Sequence, residues 1–158
     1  MMKKTNQRIL AIDWGRKRIG LAIGDSAAGL ATPFDVLHIT AIQQAIAPIL
    51  QIIQREQIDQ VLIGLPLNMD GSIGPSAAEA IELGRKIRDQ SAKPLTFVDE
   101  RLSSFRAESI VLDRKKQGEK ITRKGKRKML DALAAAAFLQ DFLEEKIPAL
   151  AESDLPSA

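Results

Sequence analysis

The 158-residue sequence predicts an α/β fold in which helices cover the faces of a mixed β-sheet. Two short apolar runs, residues 9–12 and 19–23, flank a basic turn that contains glycine, and this pattern is typical of a hairpin of two buried strands. Further along the chain, apolar runs of strand length alternate with segments in which apolar residues recur at helical spacing. Because no internal repeat or linker interrupts the pattern, we expect a single domain over residues 1–148.

The later elements are predicted by their own patterns. A third strand is expected over residues 34–39, and residues 41–54 carry apolar side chains three or four positions apart, which predicts an amphipathic helix. A compact apolar run at 61–65 ends at Pro66 and predicts a buried strand. Residues 149–158 lack periodicity, and we expect them to be disordered. The other predicted elements are a helix at 77–90, a strand at 95–98, a short helix at 103–112 and a long helix at 124–145.

Composition excludes several classes of protein. The chain has no cysteine, which excludes a disulfide scaffold, a thiol nucleophile and a cysteine-based metal site. Its six aromatic residues, none of them tyrosine, are too few for a platform on which single-stranded bases stack. The longest apolar run, residues 132–139, is far shorter than the roughly 20 residues that span a bilayer. With no secretion signal at its start, the chain is expected to be cytoplasmic and not bound to a membrane.

The positive charge is concentrated in residues 114–128, which we call the basic segment. The whole chain has a net charge of +3, whereas the basic segment carries +8 and the rest of the chain −5. A cationic strip on an acidic body is typical of a surface that binds nucleic acid, although a solvated loop and helix end can have the same composition. Its candidate phosphate-binding residues are Arg114, Lys115, Lys116, Lys120, Arg123, Lys124 and Arg127.

Three acidic residues are candidates for a metal site. Asp13 ends the first apolar strand and Glu100 follows the fifth, while Asp131 lies among alanines that allow the last helix to approach the sheet closely. Three converging carboxylates repel one another unless a divalent cation lies between them. Oxygen ligands favour Mg²⁺ or Mn²⁺, and such ions activate water for attack on a phosphodiester. On spacing alone, each acid could also be a helix cap, an ion-pair partner or simply exposed.

Four motifs span nearly the whole chain: Asp13-x-Gly15-x-x-Arg18-Ile19-Gly20-x-Ala22, Gly64-Leu-Pro66-Leu-Asn68-Met-Asp70-Gly71, Asp99-Glu100-Arg101-Leu102-Ser103-Ser104 and Asp131-Ala132-x-Ala134-Ala135. Together, and in this order, they closely resemble the motifs of the bacterial YqgF-type nuclease family, whose members are described as pre-16S rRNA nucleases and as Holliday-junction resolvase-like proteins. The sequence departs from the family at Ser103-Ser104, where a pair of threonines is common, but both serines keep the hydroxyl group.

The resemblance implies an RNase H-like fold with a five-stranded mixed sheet whose second strand is antiparallel to the others. It also implies that Asp13, Glu100 and Asp131 are the metal-binding catalytic acids. The implied role is trimming of the 5′ end of the 16S ribosomal RNA precursor. The expected partners are structured RNA or branched DNA, together with the precursor of the small ribosomal subunit. We expect the protein to be a monomer or a homodimer.

Further basic residues lie beside the predicted acids. Arg16, Lys17 and Arg18 occupy the turn of the first hairpin, where they could contact phosphate or serve only solubility. Arg101 could bind phosphate or pair with an acid. We therefore include all four as candidate nucleic-acid-binding residues.

Two alternatives to an RNA nuclease stay open at this stage. A resolvase of four-way DNA junctions needs a symmetric dimer to make paired cuts, and a ribosome-assembly protein could keep the fold without the reaction. A phosphotransferase of the actin and sugar-kinase type also begins with Asp-x-Gly, but it needs a second domain that 158 residues do not supply.

Overall fold

The computed structural model describes residues 6–103 and 123–155, with residues 123–129 described by their backbone alone. The strands are β1 (Arg8–Asp13), β2 (Arg18–Asp25), β3 (Leu30–His38), β4 (Gln60–Leu65) and β5 (Leu95–Asp99). They form one sheet in the order β3-β2-β1-β4-β5. β2 is antiparallel to β1 and β3, whereas β1, β4 and β5 run parallel. The predicted mixed sheet, with its antiparallel second strand, is therefore confirmed.

Helices cover both faces of this sheet, as predicted. They are α1 (Gln43–Arg55), α2 (Pro75–Ser91) and α3 (Arg123–Leu143), with single 3₁₀ turns at Glu100–Leu102 and Glu152–Asp154. α1 and α2 pack on one face and α3 packs on the other. The predicted short helix at 103–112 lies outside the described residues, apart from Ser103. No helix in the described part of the chain is long and apolar enough to cross a membrane.

Alternation along β1 assigns its residues to two cores. Leu10 and Ile12 pack into the core formed with α1 and α2, whereas Ile9 and Ala11 pack into the core formed with α3. Since successive side chains of a strand point to opposite faces, Asp13 continues the row of Ile9 and Ala11. The carboxyl of Asp13 therefore lies on the face that α3 covers.

Small residues on β2 and β4 allow α3 to approach the sheet closely. A Cβ atom added at Gly20 would collide with the backbone carbonyl of Asp131 and would lie 3.0 Å from the amide nitrogen of Ala132. One added at Gly64 would lie 2.7 Å from the ring of Phe138. The glycines thus fix where Asp131 lies relative to β1, because β1 runs between β2 and β4.

The third strand begins earlier than the sequence predicts. β3 starts at Leu30, four residues before the predicted strand, and its pairing with β2 shifts register between Leu21 and Ala22. It is an edge strand with largely exposed side chains from Leu30 to Phe34, including Pro33. Such a stretch lacks the apolar run that marks a buried strand, which explains why the pattern missed it.

Residues 149–155, which we call the clip segment, are ordered, contrary to the expected disorder of residues 149–158. Phe97 of β5 and Leu150 exchange two backbone hydrogen bonds of 2.9 and 2.7 Å. Glu152 then accepts hydrogen bonds from Arg85 and Arg88 of α2. These contacts, rather than helical or strand periodicity, hold the clip segment against the outer edge of β5. Residues 156–158 lie outside the described residues.

Candidate active site

The candidate site lies where β1 and β5 end, on the face covered by α3. Asp13 is the last residue of β1 and lies in register between Gly20 of β2 and Gly64 of β4. Glu100 immediately follows β5, which is separated from β1 by β4. The hydrogen bond between the carboxyl groups of Asp13 and Glu100 therefore reaches across the end of β4. The strand order thus brings together two acids that are 87 positions apart in the sequence.

A hydrogen bond joins the carboxyl groups of Asp13 and Glu100, and the pKa of each is raised. Burial raises the pKa of Asp13 to about 9, and the charge of Glu100, a hydrogen bond with Glu100 and the charge of Asp131 add to that effect. Burial also raises the pKa of Glu100, although its hydrogen bond with Asp13 acts in the opposite direction. Asp13 is therefore the protonated partner, and it donates to Glu100 at neutral pH.

The Asp13–Glu100 pair fits a divalent cation. Glu100 Oε2 is buried and has no hydrogen-bond partner among the described residues. A buried carboxylate oxygen without a partner carries a desolvation cost, which an ion in contact with it would offset. The donors are all carboxylate oxygens, which suit a hard ion such as Mg²⁺ or Mn²⁺.

Asp131 lies near this pair but has a different partner. Its charge raises the pKa of Asp13, yet its Oδ2 accepts a hydrogen bond of 2.7 Å from Nε of Arg18. Over the ranges 6–103 and 123–155, no three acidic or histidine side chains converge closely enough to hold one ion together. The structure thus brings two of the predicted acids into direct interaction and leaves the third on an arginine.

The hairpin turn between β1 and β2 is held by α2. Glu79 of α2 accepts a hydrogen bond of 3.2 Å from the indole nitrogen of Trp14 and forms a 3.1 Å ion pair with Arg16. Lys17 is exposed, and its backbone carbonyl accepts a hydrogen bond from the amide of Ile39. Glu79 was not among the predicted site residues, because it is 63 positions from Arg16 and no local pattern marks it.

Arg101 braces the loop between β4 and α2. Its guanidinium binds both carboxylate oxygens of Asp99, with contacts of 2.7 to 3.2 Å, and donates to the carbonyls of Asn68 and Met69. The hydrogen bonds from Arg101 hold the pKa of Asp99 below its usual range. Of the two roles open for Arg101, the structure shows pairing with an acid. Contact with phosphate stays a prediction.

Most of the basic segment lies outside the described residues, including Arg114, Lys115, Lys116 and Lys120. Its last part, from Arg123 to Lys128, forms the first turns of α3. Arg127 is one helical turn before Asp131. The backbone of α3 therefore places the end of the basic segment beside one of the candidate acids.

Comparison with known proteins identifies relatives along nearly the whole chain. The sequence model of the RuvX family, described as Holliday junction resolvase, matches residues 7–145. A protein of Caldanaerobacter subterraneus is 33% identical over 139 residues, which are 88% of this chain and 97% of that one. A protein of Acidiphilium cryptum is 36% identical over 146 residues, 90% of this chain and 89% of that one. Both carry the name "Putative pre-16S rRNA nuclease".

Solved structures share the fold at low sequence identity. Thermus thermophilus RuvC in complex with a Holliday junction superposes with a TM-score of 0.59 and 15% identity, covering 91% of this chain and 99% of RuvC. The Fowlpox virus resolvase in complex with Holliday junction DNA gives a TM-score of 0.52 at 12% identity, covering 86% and 98% of the two chains. These likenesses confirm the RNase H-like fold.

Proposed function

Because this chain belongs to the RuvX family of Holliday junction resolvases, we propose that it is a divalent-metal-dependent nuclease that hydrolyses phosphodiester bonds in structured RNA. We further propose that it processes the 5′ end of precursor 16S rRNA in the cytoplasm during ribosome biogenesis. The names of the relatives support this substrate. The observation that carries the proposal is the partly buried Asp13–Glu100 pair, in which Oε2 of Glu100 is itself buried and has no partner among the described residues.

Asp13 and Glu100 would hold the ion, and Asp131 would complete the set of ligands once its side chain leaves Arg18. A bound Mg²⁺ or Mn²⁺ would lower the pKa of a water molecule and stabilise the charge that develops on the leaving oxygen. The Asp13–Glu100 pair must lose its proton before it can serve as a ligand, because only ionised carboxylates bind such ions well.

The positive charges around the acids have a separate task, which is to hold the phosphate backbone. The first turns of α3 lead into Asp131, and the β1–β2 turn, with the exposed residues Arg16 and Lys17, follows Asp13. We propose that these basic residues, with the rest of the basic segment, contact phosphates and so orient the RNA.

A cleavage assay tests the function directly. Purified protein with Mg²⁺ or Mn²⁺ is given precursor 16S rRNA or a four-way DNA junction, and Asp13→Asn is compared with Asp89→Asn as an exposed control on α2. We expect cleavage of the RNA and a loss of at least about 100-fold in Asp13→Asn, in line with removal of a catalytic acid. Asp89→Asn should cleave at the rate of the unmodified protein.

Resolution of branched DNA is the second candidate function, favoured by the description of the family. It requires two active sites related by symmetry, so a homodimer is expected under this alternative and a monomer is sufficient for RNA processing. Cleavage of the junction alone would refute the RNA substrate. Cleavage of neither nucleic acid, with binding retained, would instead favour an assembly factor without catalytic activity.

A further inference from the structure

We propose that Arg18 is a built-in counter-cation for Asp131, which a divalent ion displaces, and that the released guanidinium then contacts a phosphate of the substrate. This inference rests on the proposed function, since it concerns how the same site is loaded. Under this proposal, the contact between Arg18 and a phosphate forms only when the ion is bound.

The position of the Arg18–Asp131 pair is fixed by backbone packing. Arg18 begins β2 two residues before Gly20, on the same face of the sheet, and the backbone of Asp131 lies directly against Gly20. Both side chains are partly buried, with 33% of Arg18 and 25% of Asp131 exposed. The pair is thus a consequence of the close approach of α3, unlike an ion pair between two mobile surface side chains.

The form of the contact allows displacement. Arg18 binds Asp131 through one described hydrogen bond, from Nε to Oδ2. In the same fold, Arg101 binds both oxygens of Asp99 and two loop carbonyls as well. A guanidinium that binds both oxygens of a carboxylate, as Arg101 does, forms the stronger contact. The single contact of Arg18 leaves Oδ1 of Asp131 available to an ion. The chain therefore uses one arginine as a brace and the other as a replaceable partner.

Electrostatic attraction favours replacement of Arg18 by a divalent ion at Asp131 when Asp13 and Glu100 also bind that ion. A divalent ion has twice the charge of a guanidinium, and carboxylate oxygens approach Mg²⁺ to about 2.1 Å, against the 2.7 Å of the Arg18–Asp131 contact. Coulomb attraction grows with charge and falls with distance, so Asp131 gains from the exchange. Without the ion, the charge of Asp131 is paired with the guanidinium of Arg18.

Displacement frees a guanidinium next to the exposed residues Arg16 and Lys17. Guanidinium groups bind phosphate with paired hydrogen bonds, which makes the released Arg18 suited to the substrate backbone. The number of phosphates that the protein contacts should therefore increase by one when the ion binds.

The affinity of the metal-binding site for Mn²⁺ tests the first half of the proposal. Arg18→Met is compared with Arg16→Met, which removes the same charge from the same turn but from a residue paired with Glu79. We expect the dissociation constant for Mn²⁺ to fall about tenfold in Arg18→Met, since the ion no longer has to displace a positive charge from Asp131. Arg18→Lys and Arg16→Met should stay within about threefold of the unmodified protein.

An unchanged or weaker affinity in Arg18→Met would overturn the proposal, because Arg18 would then not compete with the ion. The thermal midpoint of metal-free Arg18→Met shows whether the variant is folded. Asp13→Asn separates the two hypotheses: if it binds Mn²⁺ as well as the unmodified protein, the proposed metal site itself is wrong.

The salt dependence of RNA binding tests the second half. Binding of a short RNA duplex is measured over a range of salt concentrations, with Ca²⁺ as an oxygen-binding ion or with EDTA. Each phosphate contact adds just under one to the slope of log K against log salt. Arg16→Met keeps Arg18, so adding Ca²⁺ should make its slope steeper by about one. Arg18→Met lacks the released guanidinium, so its slope should not gain this extra contact when Ca²⁺ is added. An equal change in both variants would refute the phosphate contact.

Discussion

Asp13 determines the expected pH response of the candidate site. Its carboxyl has a pKa of about 9 in the folded protein, against a usual value of 3.8. Between these two values the folded state holds a proton that the unfolded state has lost, so the free energy of unfolding falls as the pH rises. We expect this loss in EDTA between about pH 4 and 9, at no more than about 1.4 kcal/mol per pH unit.

Urea unfolding at several pH values measures this response, with Asp13→Asn as the comparison. The amide does not titrate, so the variant should be more stable than the unmodified protein at pH 8, and this advantage should shrink toward pH 4. Parallel profiles for the two proteins would show that Asp13 is not buried as the structure has it.

Single residues also show how far the sequence could be interpreted. Asp13 and Glu100 are marked by the apolar strands that precede them, and the structure places both where the parallel strands β1 and β5 end. The contact of Arg18 with Asp131 spans 113 positions, and that of Trp14 with Glu79 spans 65. Such partners depend on which elements pack together, which local patterns do not contain.

At the scale of elements, the packing of α3 on β2 fixes the distance between the candidate acids. A methyl group at Gly20 would collide with backbone atoms of Asp131. Backbone atoms cannot rotate out of the way as the end of a flexible side chain can, so α3 itself would have to shift. We expect Gly20→Ala to lower the free energy of unfolding by about 1–3 kcal/mol, as overpacking does, and to weaken Mn²⁺ binding because Asp131 is displaced.

Gly29→Ala is the control for this substitution. Gly29 has a φ of +65° and an open surrounding, so alanine there incurs backbone strain of roughly 1–2 kcal/mol without a collision. Urea unfolding and Mn²⁺ titration of both variants distinguish the two effects. Equal Mn²⁺ affinities in both would contradict the role assigned to the β2–α3 contact.

Elements with a buried apolar face are the ones that the sequence predicts well. The strands β1, β2, β4 and β5 and the three helices all occur near their predicted positions. The start of β3 and the clip segment were missed, because each is held by backbone pairing at an edge of the sheet rather than by an apolar pattern.

At the scale of the whole molecule, the clip segment protects the outer edge of the sheet. Without residues 149–158, the backbone groups of Phe97 lose their hydrogen bonds with Leu150, and Arg85 and Arg88 lose their ion pairs with Glu152. We expect this truncation to lower the free energy of unfolding by roughly 2–4 kcal/mol. Since an open strand edge pairs with other chains, the truncated protein should also associate as its concentration rises.

Chemical denaturation and light scattering measure the two consequences. A protein that ends at Leu155 keeps every contact of the clip segment and serves as the control. If the longer truncation matched this control in both measurements, the clip segment would have no part in stabilising β5.

The clip segment also sets the order in which the site can be completed during synthesis. A ribosome produces Asp13 first, Glu100 much later and Asp131 later still, and residues 149–155 follow all three. The strand that ends beside Glu100 is secured by that last segment, through Phe97 and Leu150. A nascent chain stopped before residue 149 therefore lacks the contacts that hold β5, so the candidate site is completed only after the three candidate acids and the clip segment have been translated.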